Sequence, residues 1–367
     1  MIKLLYINPE PDRSERAILR GLKGRGVSVR AIIGTPTLKA FSDELKGLDI
    51  VEHNFKGKLS RLSVKLIKSQ IHEFQPNIIY FLTNQAITNG LIAARGSNAK
   101  LIAYRGIGAN FGVLNPIAWM RYLNPRIDRI VCVSESIRAS LKKINKFGLG
   151  FKPEKLITIY KGHDLSWYEG VKPKEGHPLS KDKVRYICAA NWRPRKGLDV
   201  LFKAIQLLPE ALPIEFIVVG SGTDQETFKA MAQNTSYESS IHFIGFSREV
   251  LAWMAASDVS ILPSIKREGL PRSVIESMAM GKPQIVTNVG GSPELVRHLR
   301  EGIVIPHSDP SALAEAIMSM THNHQERSEM GNSARQRIRD SFNIQKTIDE
   351  IYNLYISILK NQNKLSK

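Results

Sequence analysis

Short apolar runs alternate along this chain with longer segments whose apolar residues recur every three or four positions. The runs at Lys3–Ile7, Val27–Ile33, Asn77–Leu82, Leu101–Tyr104 and Arg129–Val133 predict strands, and a second set follows at Arg185–Ala189, Glu215–Val219, His242–Ile244, Val259–Leu262 and Gln284–Thr287. Strands separated by helical patterns indicate an α/β class with mostly parallel sheets. A polar stretch rich in Pro, Gly and Lys, from Lys172 to Lys183, separates the two sets and reads as an interdomain linker. Near the end, Ile344, Ile348, Ile351, Leu354 and Ile358 mark a helix over Asn343–Leu359. The expected organisation is therefore a domain over residues 1–171, a linker over 172–183, a second domain over 184–342 and a terminal helix in 343–367.

The stretch from Val259 to Val296 carries the most chemistry. Proline is favoured at the first helical position, so a helix is expected from Pro271 to about Met280. Glu268 and Glu276 lie eight positions apart on either side of that junction, and Gly290-Gly291 follows fourteen residues after Glu276. The first N–H groups of a helix have no intrahelical partner and form a ready phosphate site. An ionised carboxylate offers two acceptor oxygens, so one Glu can grip a vicinal diol. Such a crevice suits a ligand with hydroxyl pairs at its ends and phosphates in the middle, which is a nucleotide sugar. Two glutamates at this spacing are by themselves common on exposed helices; the surrounding residues give the pair its weight.

Those residues are Asp258, Pro263, Ser264, Glu268, Gly269, Glu276, Ala279, Gly281 and Pro283, closed by Gly290-Gly291-Ser292-Pro293-Glu294-Leu295. Together they resemble the signature of retaining glycosyltransferases of the GT-B fold, and are similar to the large family 4 group. The resemblance extends to Asn191–Leu198 (NWRPRKGL), Val218–Gly222 (VVGSG) and Ile241–Phe246 (IHFIGF), and more loosely to Asp128–Leu141 and Ile157–Asp164. It implies two Rossmann-like domains facing across a cleft. The second would hold the nucleotide sugar and the first the acceptor, with the terminal helix returning to the first domain. The residues expected at the donor are Glu276, Gly269, Leu270, Pro271, Arg272 and Gly222, with Glu268 on the transferred sugar.

Transfer from a nucleoside diphosphate develops negative charge on the departing phosphate, which preorganised cations stabilise. Arg193 and Lys196 suit that role at the start of the second domain, and the resemblance assigns it to Lys196. The family's usual arginine, five positions before that lysine, is Asn191 here; either Arg193 or Arg195 substitutes. Gly220-Ser221-Gly222 follows a strand but lacks a third glycine, since position 225 is Gln225, so it reads as a tight turn beside the nucleotide rather than a dinucleotide fingerprint. In the first domain, Arg105 stands after a strand where many relatives carry a histidine. Arginine stays protonated and cannot serve as a base, so it would stabilise phosphate charge or bind an acidic acceptor. No D-x-D pair occurs, which points to basic side chains and helix N-termini in place of a metal, with no cofactor beyond a UDP- or GDP-linked donor.

Charge changes the picture of the acceptor. The net charge is +18, and residues 1–150 hold 24 Lys and Arg against 10 Asp and Glu, while the remainder holds 28 against 24. An excess confined to one half suggests an anionic partner for that half: an acidic glycan, a lipid-linked acceptor of lipopolysaccharide type, or an anionic membrane. Nucleic acid is disfavoured because no aromatic residues interleave the basic ones. Basic amphipathic patterns at Lys58–Ile71 and Ser136–Phe147 fit a peripheral position on a membrane, or equally a domain helix with its charges in water. No apolar run approaches the ~20 residues of a membrane span. Cys132 and Cys188 sit in apolar runs, which suits buried free thiols in a reducing cytoplasm. Two rival functions remain at this level: a GT-B nucleotide-sugar epimerase, distinguished by product formed without acceptor, and a non-catalytic nucleotide-sugar-binding protein, distinguished by binding without turnover.

Overall fold

In the computed structural model, which describes residues 1–108, 116–146, 149–176, 179–180 and 182–365, the apolar runs become two sets of parallel strands. The first unit comprises Met1–Gly162 and the chain from Ile344. Its strands are β1 (Lys3–Ile7), β2 (Ser28–Ile33), β3 (Asp49–Glu52), β4 (Ile78–Phe81), β5 (Lys100–Arg105) and β6 (Ile127–Cys132), followed by a hairpin of β7 (Asn145–Lys146) and β8 (Leu149–Gly150), then β9 (Leu156–Thr158). Seven of them form one sheet in the order β3-β2-β1-β4-β5-β6-β9. The second unit, His163–Asn343, contains β10 (Val184–Ala189), β11 (Ile214–Val219), β12 (Ile241–Gly245), β13 (Val259–Leu262), β14 (Gln284–Thr287) and β15 (Gly302–Ile305), in the order β12-β11-β10-β13-β14-β15. Both orders reverse direction beside the first strand of their unit, the doubly wound arrangement of Rossmann-like domains.

Burial on both faces explains why these strands read as continuous apolar runs. In the second unit, Tyr186, Cys188, Phe216 and Val218 point into one core layer with Phe202 and Ile317, while Ile187, Ala189, Ile217 and Val219 point into the opposite layer with Trp253 and Met254. This is the period-two alternation of a strand. Besides the two-residue hairpin strands β7 and β8, three strands of the main sheets escape the sequence pattern: β3, β9 and β15. All three lie at sheet edges and are only three or four residues long, so each presents too brief an apolar run to stand out.

The terminal helix spans Ile344–Leu365, longer at its C-terminal end than the apolar spacing marks, and groups with the first unit. It packs against the helix Arg13–Gly24, where a side chain at Gly21 would meet Ile348 at 2.4 Å. Thr347 donates its hydroxyl to the Tyr160 carbonyl and accepts from the Gly162 N–H, both at 2.8 Å. The stretch Lys172–Lys183, which composition marks as a linker, is tied to the second unit in its described parts: Lys174 donates to the Ala252 carbonyl at 3.0 Å and pairs with Glu249, and the Ser180 N–H donates to Glu215. Residues 177, 178 and 181 of that stretch lie outside the described residues, as does Phe147 at the end of the second basic pattern.

The first basic pattern forms the helix Arg61–Phe74, capped by Ser60. Ile67 and Phe74 face the core, but Leu59 and Leu62 are 58% and 74% exposed. Its apolar positions are thus divided between core and solvent. No described helix is long and apolar enough to cross a membrane. Both cysteines are free and buried, and burial pushes each thiol up to about 12.

Candidate active site

Adjacent strands β10 and β13 send their chains to opposite sides of the second sheet, which opens a crevice at their carboxyl ends. A cavity of about 470 Å³ occupies this position, lined by Asn191, Arg193, Lys196, Gly220, Phe246 and Glu276 among others. Two glycines let the loops approach closely. A Cβ at Gly220 would lie 2.2 Å from the Ala190 carbonyl oxygen, and one at Gly197, in the left-handed region at φ +68°, would lie 2.0 Å from that of Pro263. Asn191 accepts from the Ser221 N–H at 3.0 Å and so braces the first loop against the second.

The carboxylate of Glu268 is buried beside this cavity. Its Oε1 accepts from Lys196 Nζ and from the Ser264 hydroxyl, both at 2.7 Å, with Arg195 Nη1 at 3.5 Å. Gly290, at φ +60°, lies against the Glu268 backbone, where any Cβ would fall 2.1 Å from the Glu268 carbonyl oxygen. The two predicted halves of the motif are therefore packed together by the Gly-Gly turn.

The helix beyond Glu268 begins at Arg272 and ends at Ala279. Pro271 is its cap, with an extended ψ of 116°, instead of its first helical residue, and Met280 caps the other end. The first N–H groups without intrahelical partners thus belong to Arg272 and Ser273, and both residues line the cavity. Glu276 lies one turn further on the same face, 3.4 Å from Arg272 Nε.

Residues 172–337 match the family described as glycosyl transferases group 1. That stretch lies in the second unit and is a little under half of the chain, and the chain as a whole has the GT-B fold. Among curated relatives, the chain is 25% identical over 237 residues to the N-acetyl-alpha-D-glucosaminyl L-malate synthase of Bacillus anthracis, covering 64% of this chain and 60% of that one. It is 29% identical over 157 residues to the UDP-Gal:alpha-D-GlcNAc-diphosphoundecaprenol alpha-1,3-galactosyltransferase of Escherichia coli, covering 42% and 39%. It thus spans less than two thirds of the length of both relatives. Among solved structures, Anabaena Alr3699/HepE in complex with UDP-glucose superposes with a TM-score of 0.77 at 19% identity, covering 97% of this chain and all of that one.

Within the second unit, the structure gathers Glu268, Lys196, Arg193, Glu276, Pro271 and Arg272 around one crevice. Gly222, at φ +75°, sits against Trp192 and Gln225; Gly220 makes the close approach to the cavity instead. Gly269 is buried and Leu270 half-buried beside Glu268. Arg105 belongs to the other unit, where its guanidinium lies 5.1 Å from the centre of the Tyr122 ring. Sequence reasoning overlooks Phe246, Thr287 and the role of Ser264. Ser264 carries a signal as a member of the family motif and Phe246 as the end of the resembling segment Ile241–Phe246; the placement of Thr287 depends on strands brought together by the sheet. Among the described residues no three His, Cys, Asp or Glu side chains gather as a metal site.

Proposed function

We propose that this glycosyltransferase is a retaining, metal-independent enzyme that moves a sugar from a UDP-linked donor to a glycan or lipid-linked acceptor at the inner face of a membrane. The observation that carries the donor reading is the mixed lining of the cavity. Phe246, Val250 and Met254 supply apolar surface that suits a base, Arg193 and Lys196 cations that suit a diphosphate, and Glu276 an acceptor for ribose hydroxyls. UDP is favoured over GDP by the UDP-glucose bound to the Anabaena relative and by the donor of the Escherichia coli enzyme. Glu268 would meet the transferred sugar, and Arg105 an anionic group of the acceptor.

A ligand that binds the native state alone raises its melting temperature. UDP and UDP-sugars are therefore expected to raise it by several degrees, GDP compounds by less, and Glu276→Ala to remove most of the shift without lowering the melting temperature of the free protein. No shift with any nucleotide would sink the donor reading, and an equal shift in the variant would remove Glu276 from the site.

The acceptor side rests on charge. From His53 to Ile127 the chain has a single acidic residue, Glu73, against ten Lys and Arg. The exposed Leu59 and Leu62 stand beside Lys58, Arg61 and Lys65, and the exposed Ile117 and Met120 lie on the next helix but one. Vesicles with a substantial fraction of anionic lipid are expected to bind the protein at low salt and to release it as the Debye length shrinks. Neutralising Arg61, Lys65 and Lys68 together should weaken vesicle binding several-fold at unchanged UDP affinity. Indifference to anionic vesicles at low salt would assign the charge to a soluble acidic acceptor.

A further inference from the structure

The hydrogen bonds behind Glu268 have a direction that its own role does not explain. Lys196 and Ser264 donate to Oε1 and Arg195, whose Nη1 donates to the Arg267 carbonyl, approaches the same oxygen at ion-pair distance, while Oε2 accepts from none of the described side chains. Oε2 is also not among the side-chain atoms sealed from solvent without a partner. The carboxylate is thus held by one oxygen and offers the other. Of the three neighbours, Lys196 and Arg195 are cations beside the cavity, and a diphosphate arriving there competes with Glu268 for both. Ser264 is different. Its side chain is fully buried, neutral and out of reach of a ligand. Behind it, the equally buried Thr287 donates its hydroxyl to the Ser264 carbonyl at 2.5 Å, which ties the end of β13 to the end of β14.

We propose that Ser264, braced by Thr287, is a positioning residue that keeps Glu268 aimed with Oε2 toward the transferred sugar when the donor's diphosphate draws Lys196 away. The lysine then serves two anions in turn, and the serine holds the carboxylate during the exchange. The inference rests on the reading of Glu268 as a sugar contact. Hydrogen bonds to charged groups contribute about 1.5–3 kcal/mol, so loss of this one should cost about ten- to a hundredfold in rate.

The test uses the full chain and the UDP-sugar that most raises its melting temperature, with UDP release to water as the turnover. Ser264→Ala is expected to lower kcat by about ten- to a hundredfold and to leave the dissociation constant of UDP, which lacks the transferred sugar, within about twofold. Thr287→Val, which keeps the shape and removes the donor, should move the same readouts in the same direction by less. Unchanged turnover in Ser264→Ala would overturn the proposal. So would a parallel fall in turnover and UDP affinity, which would mark a purely structural hydroxyl. Glu268→Gln separates the two layers of the argument. If it retains turnover, the reading of Glu268 fails; if it is crippled while Ser264→Ala is not, only the positioning role fails.

Discussion

Lys196→Ala is expected to lower turnover on the order of 10²–10³-fold, the range seen when one preorganised donor is removed from a developing anion. Lys196 lines the cavity and donates to Glu268 at 2.7 Å, so the substitution removes a cation from the leaving diphosphate and the main counter-charge from a buried carboxylate. UDP affinity should fall as well, because the diphosphate is present in both donor and product. The melting temperature of the free protein should fall only modestly, since Ser264 and Arg195 remain beside Glu268. Steady-state UDP release, a UDP titration and a melting curve on one preparation check all three. Turnover within a few-fold of the parent would remove Lys196 from the chemistry. Lys196→Arg should not rescue fully, because a planar fork does not replace a compact ammonium at a site shared by two anions.

The second large effect is expected on stability, in the first unit. Lys161 pairs with Asp12 at 2.8 Å and Glu15 at 2.7 Å, and Glu15 is buried. Burial pushes the Glu15 carboxyl up while Lys161 pulls it down. The neighbouring carboxylates and the Tyr104 ring, working against burial, hold the Lys161 ammonium well above its ordinary value. A raised lysine stabilises the fold at all pH below its unfolded value, and that contribution disappears only as pH climbs through the higher folded one. Lys161→Met should therefore cost about 3 kcal/mol, the lower end of what breaking a buried pair costs, because Glu15 still accepts from the Asn8 side chain and the Asp12 N–H. Without the lysine's charge to pull it down, Glu15 would keep its proton further up the pH scale. A group with a raised folded pKa loses stability as pH rises, so the deficit should grow from pH 5 to pH 8. Denaturant melts at the two pH values measure this. A deficit independent of pH would place the pair's contribution elsewhere.

Why particular features are or are not legible in the chain has a physical basis. The central strands can be read because a strand buried on both faces needs a continuous apolar run, and β1, β13 and β14 fall on the residues that the pattern marks. The edge strands β3, β9 and β15 cannot, since half their groups face outward and their runs are too short. The helix after Glu268 begins one residue later than its proline suggests, because proline's fixed φ serves equally well at the cap and only ψ distinguishes the two positions.

The donor site divides along the same line. Spacing within one segment is enough to bring Glu268, Pro271 and Glu276 together, because residues on one helix and its approach have a geometry set by the chain itself. The alternating pattern likewise determines two α/β domains, and the motifs their family. What the chain alone does not determine is which oxygen of Glu268 is held, that Ser264 bonds it while Thr287 bonds Ser264, that Gly220 instead of Gly222 lines the cavity, and that Phe246 lines it too. Each of these depends on strands separated by tens of residues lying side by side in the sheet. Side-chain direction at such junctions is decided by hydrogen bonds and close backbone contacts across neighbouring loops, which local sequence spacing does not encode.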